Sequence, residues 1–223
     1  MSDQAVLTEE RKMLPEEDLH NVENRIDALI KKIARSEYRA LGYLVRSSKS
    51  LTNDDIRKLL ERIMTEWQRN IFSPASMHAL MKFVYLCVRK REEGFSFKNR
   101  TPIPVCSYSR YIPISALLLY SHLTLSSFAV KLFSLWKTDQ GIKKYIETEN
   151  PGGIVLTMTH FVHLPYLSSL LPDIQERGSN IFLGGLAFDY DESLKRRYAG
   201  CIFPQSLDEL VHILEKNQQG GLP

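Results

Sequence analysis

Residues 152–206 carry the most information in this chain: GGIVLTMTHFVHLP (152–165), LSSLLPDIQERG (167–178), SNIFLGGLAFD (179–189) and KRRYAGCIFPQS (195–206). Two short apolar runs each end in small or hydroxylated residues, and each is followed by a helical pattern. That arrangement is the signature of strands in a parallel sheet whose carboxyl ends face a ligand. Thr157 and Thr159 stand at one strand end and Gly184 and Gly185 at the next.

Working outward, PVCSYS, AVKLFSLW, GIVLTMT, NIFLGG and GCIFP read as five strands. The segments ISALLLYSHLTLSS, QGIKKYIETE, LPYLSSLLPDIQE and DESLKRRY read as intervening helices, and LDELVHILEKNQ closes as an amphipathic one. Strict alternation predicts a doubly wound, flavodoxin-like parallel sheet with right-handed crossovers over residues 101–218. Upstream, Leu19, Val22, Ile26, Leu29, Ile30 and Ile33, then Leu41, Leu44 and Val45, keep helical spacing. Thr52 followed by Asp55 marks an N-cap, and Ser73 with Pro74 marks another. Residues 16–93 are therefore expected to form an all-helical bundle, joined to the sheet through the charged, Gly94-containing stretch 90–102.

A formal charge of +3 on 223 residues gives no strong pull toward nucleic acid or membrane. Cys87, Cys106 and Cys201 are odd in number and lack a CxxC spacing, which argues against a disulfide framework and a cysteine zinc site and favours a reducing cytoplasm. The apolar run around Ile114–Leu125 is too short and too polar to span a bilayer, so no membrane association is expected. There is no GxSxG, P-loop, HExxH or paired-carboxylate arrangement, and the chain reads as a binding protein rather than an enzyme. His160 and His163 follow the third strand toward the expected ligand face, with no nearby carboxylate or thiol to complete a zinc triad. One imidazole is enough for an axial role toward haem.

A helical bundle followed by such a sheet resembles the cobalamin-binding module of corrinoid proteins, above all the light-sensing half of CarH and LitR type transcription regulators. In that comparison Thr157-Met158-Thr159 takes the place of the family's Ser-x-Thr motif and Gly184-Gly185 that of its Gly-Gly. The family's Asp-x-His-x-x-Gly motif falls on Arg110 to Ser115, so Ile112 replaces the histidine that binds cobalt from below and Arg110 the aspartate that orients it. Isoleucine cannot coordinate a metal, and lower-face ligation of the family kind is unavailable. The resemblance further implies that Trp67 and His78 lie over the upper face of a ligand, Met77 replacing the family's glutamate beside His78.

The resemblance implies a non-enzymatic sensory or regulatory protein, with ligand held between bundle and sheet. Its expected ligand-contacting set is Trp67, His78, Ile112, Ser115, Thr157, Thr159, His160, His163, Gly184 and Gly185, with His78 or His160 as the metal-ligating candidate. The implied cofactor is cobalamin without the lower histidine; haem and no cofactor at all are the alternatives. With no helix-turn-helix visible before the bundle, output is expected through a protein partner or transcription factor, as in anti-repressors of the AerR and PpaA type. A homo-oligomer is compatible with all of this.

Overall fold

The computed structural model describes residues 27, 30, 51–98 and 101–219. The chain divides into two compact units, residues 1–83 and 84–223. Apart from positions 27 and 30, which are helical, the helical spacing read over residues 19–45 lies outside the described residues.

In the first unit, α1 spans Asn53–Gln68. Its start is set as the sequence predicts. The Asp55 amide donates to the Thr52 hydroxyl at 3.1 Å, and the Thr52 amide donates to the Asp55 carboxylate at 2.7 Å. This reciprocal box satisfies two amides that would otherwise lack partners. Ile56, Leu59, Leu60 and Ile63 repeat at helical spacing and are buried. The next helix, α2, spans Pro74–Arg89 and runs through the division between the units. Ser73 opens it by accepting from the Ser76 amide at 3.1 Å.

The second unit contains β1 (Ile103–Ser107), α3 (Ile114–Leu125), β2 (Val130–Ser134), α4 (Gln140–Glu149), β3 (Gly153–Thr157), α5 (Leu164–Gln175), β4 (Asn180–Gly184), α6 (Leu186–Tyr190), α7 (Ser193–Arg197) and α8 (Leu207–Gln219). The strands form a parallel sheet in the order β2-β1-β3-β4, the doubly wound arrangement expected from the alternation. Among the described residues it has four strands, not five. The GCIFP run contributes a single bridge: the Ile202 amide donates to the Ile181 carbonyl and the Leu183 amide to the Ile202 carbonyl, both at 2.8 Å. Pro204, two residues on, has no amide proton with which to continue the ladder, so the edge stops there.

Strand alternation divides the core. Cys106, Ile154, Leu156, Ile181 and Leu183 turn to one face, where Ile142 and Ile146 of α4 and Leu167, Leu170 and Ile174 of α5 cover them. On the opposite face Gly153 accommodates its neighbours: a Cβ there would stand 2.9 Å from the Phe182 ring and 3.4 Å from Leu214 of α8. The stretch after α2 is tied to this unit, since the Tyr120 hydroxyl of α3 donates to Glu92 at 2.9 Å. No described helix is long and apolar enough to cross a membrane.

Candidate functional site

All four strands run the same way, so the loops after β1, β2, β3 and β4 gather on one edge. The expected site residues of the second unit divide there into two groups. Thr157, the last residue of β3, is buried, and its hydroxyl donates to the Ser115 hydroxyl in the first turn of α3 at 2.9 Å. The fold therefore joins two residues separated by more than forty positions. Gly184 pairs with Thr157 in register, and its carbonyl accepts from the Met158 amide at 2.8 Å.

Gly185 and Gly184 differ in purpose. Gly185 has φ of +106°, and a Cβ on it would lie 2.5 Å from the Met158 carbonyl oxygen. Its glycine identity is thus explained by internal packing of the β3 and β4 ends. A Cβ on Gly184 would meet nothing within 4 Å, so this is the position that leaves open space at the edge.

The second group surrounds a cleft of about 930 Å³ built by the loops after β1, β2 and β3 and the start of α5. His160 and His163 line it; Ile112, Ser115, Thr157, Thr159, Gly184 and Gly185 do not. The cleft sits beside the predicted strand-end residues, on the β2 side of the sheet edge. Its other principal walls are Tyr108, Arg110, Trp136, Lys137 and Tyr166. Sequence reasoning noted Arg110 only as a replacement and missed the aromatics. The available signal was SYSRY directly after β1 and LWK directly after β2, two segments that a parallel sheet must deliver to the same edge.

The walls are aromatic, and their rings contact one another. The Tyr108 ring stacks on His163 with centroids 5.7 Å apart and on Tyr166 at 6.3 Å. Trp136 meets His163 edge-on at 6.5 Å, and His160 lies 5.9 Å from His163. Tyr108 is only 8% exposed, and its buried hydroxyl has no hydrogen-bond partner. An unmet buried hydroxyl costs about 1 to 3 kcal/mol. Burial, with smaller contributions from Cys106, Asp139 and Tyr198, pushes its pKa up, so it is a neutral donor. His163 is moved the other way: burial first, then neighbouring His160, holds its pKa below the ordinary histidine value. At neutral pH it presents an uncharged imidazole with a lone pair.

The thiols belong elsewhere. Burial pushes Cys106 far up and Cys201 to about 11, which keeps both protonated and poorly nucleophilic. No group of three or more metal-ligating side chains forms among the described residues. Trp67 on α1 and His78 on α2 are both half-buried residues of the first unit.

No family model matches the sequence, and no curated protein matches it. Solved structures do. One is the methanol:cobalamin methyltransferase complex MtaBC from Methanosarcina barkeri, with TM-score 0.50, 10% identity, and coverage of 99% of this chain and 90% of that one. Another is a cobalamin-binding protein from Desulfitobacterium hafniense DCB-2, with TM-score 0.49, 12% identity, and coverage of 86% and 98%. At these identities the likeness is one of fold: the chain has the architecture of cobalamin-binding proteins, and no particular regulator family follows from it.

Proposed function

We propose that this chain is a non-enzymatic sensory or regulatory protein that binds a planar metal macrocycle, cobalamin or haem, at the carboxyl edge of its sheet, and that a protein partner reads its occupancy. The observation that carries this reading is the cleft of about 930 Å³, walled by stacked Tyr108, His163 and Tyr166. Its size is that of a small-molecule site, and its position is where doubly wound sheets hold ligands. The shared fold with a cobalamin methyltransferase complex favours a corrinoid.

The residues fit such a group in part. Ile112 is a hydrocarbon outside the cleft lining, so it holds no cobalt from below. His163 fits better, because its lowered pKa leaves the imidazole free to ligate at neutral pH and one imidazole suffices for haem. His160 is the neighbouring alternative. A bound metal centre would supply redox- or light-dependent chemistry; the chain's own part would be to stack the ring on its aromatic wall and offer the imidazole.

A second reading, a docking platform without cofactor, is favoured by Tyr111, Trp136, Phe161, Val162 and Tyr166, all exposed on the same edge. One experiment separates them. Purified protein is incubated with hydroxocobalamin, adenosylcobalamin or haemin, desalted, and its absorption spectrum recorded in darkness and after illumination. The macrocycle reading expects a retained corrin or Soret spectrum, altered in His163→Ala or His160→Ala. Protein that stays colourless with all three leaves the docking reading.

A further inference from the structure

We propose that the cleft selects planar ligands with an anionic edge: Arg110 and Lys137 hold carboxylate or phosphate groups while the Tyr108, His163 and Tyr166 wall stacks the ring. This rests on the cleft being the ligand site and names the ligand class it takes. Arg110 comes from the loop after β1 and Lys137 from the loop after β2, and both line the cleft as exposed side chains. Among the described residues neither has an acidic partner. Lys143, the cation beside Asp139, is by contrast ion-paired, lying 2.8 Å from Asp139 and 2.8 Å from Asp173.

Asp139 is the single carboxylate among the described lining residues, and Lys143 already occupies it. Lys143 is shared with Asp173, so that trio keeps one net negative charge, and against it the cleft lining sets the two cations Arg110 and Lys137, neither of them ion-paired. The Arg110 guanidinium lies 5.5 Å from the Tyr111 ring, a contact that holds the fork without using its hydrogen-bond donors. Such a fork matches a carboxylate or a phosphate in two parallel bonds. The Tyr108 hydroxyl, in the wall of the same cleft, is buried and without a hydrogen-bond partner.

The test uses the full chain and two ligand pairs, each a common ring with and without its charge. Coproporphyrin, metal-free with edge carboxylates, is compared with its methyl ester, and flavin mononucleotide with riboflavin, following fluorescence. In at least one pair the acid should bind about tenfold or more tightly than the neutral partner, the scale of a charge-assisted hydrogen bond. Arg110→Ala combined with Lys137→Ala should abolish that gap by weakening the acid far more than the neutral partner, with the melting temperature unchanged, since both side chains are exposed. The pair that shows the gap names the anion. If neither pair shows one, or if the double variant keeps it, the inference fails. Because these rings carry no metal, a charge-dependent gap in a protein that retains no corrin or haem colour overturns the metal reading alone.

Discussion

Gly184 and Gly185 are adjacent glycines that should respond oppositely to the same change. A Cβ on Gly185 meets the Met158 carbonyl oxygen at 2.5 Å on a backbone with φ of +106°. Gly185→Ala should destabilise the fold by roughly 2 to 4 kcal/mol, while Gly184→Ala should stay within about 1 kcal/mol, as read by urea denaturation. Tyr108 offers a different separation of stability from binding. Its hydroxyl is buried without a partner, so Tyr108→Phe should leave stability unchanged or raise it by about 1 kcal/mol while weakening ligand binding. Equal destabilisation and weakening would mean the hydroxyl serves the fold. The pH response belongs to His163. Its pKa in the folded chain is below the unfolded value, so the unfolded chain takes up the proton first. Stability should therefore be unaffected by this group well above the ordinary histidine pKa of about 6.5 and should fall as the pH drops through and below it. His163→Phe should flatten that part of the pH profile in thermal melts.

At the scale of elements, starts were legible and ends less so. The Thr52–Asp55 box and the Ser73 cap follow from side-chain chemistry confined to four residues, and the structure contains both. Thr52→Ala should cost about 1 kcal/mol. The fifth strand is where local reading failed. GCIFP is apolar and bounded like a strand, but a strand needs successive amides paired across the edge, and only Ile202 makes the pairing. Ile202→Pro removes the amide that donates to Ile181 and should loosen the β4 edge by roughly 1 to 2 kcal/mol, visible as faster hydrogen exchange at Ile202's partners. Unchanged exchange at Leu183 would show that the edge does not depend on this bridge.

At the scale of the whole molecule, ligand binding and folding are linked. A ligand that fills the cleft only in the folded chain, supplied at about a hundred times its dissociation constant, should stabilise the protein by about 2.7 kcal/mol. A thermal shift that grows with ligand concentration in the unaltered chain and shrinks in Trp136→Ala is the expected result.

Hydrophobic periodicity and turn residues determined the class of the fold by themselves, because a buried parallel strand, an amphipathic helix and a cap each follow from chemistry within a few residues. That is why the α/β alternation, the helical segments before it, and the strand ends at Thr157 and Gly184 were all visible in the sequence. The Ser115–Thr157 bond and the cleft were not, because they depend on how the crossovers fold back. Only the order β2-β1-β3-β4 brings Tyr108, Trp136 and His163 together from three loops, and only burial in that arrangement leaves the Tyr108 hydroxyl unpaired and lowers the His163 pKa. The sequence placed the ligand edge; tertiary packing decided which part of that edge opens into a site.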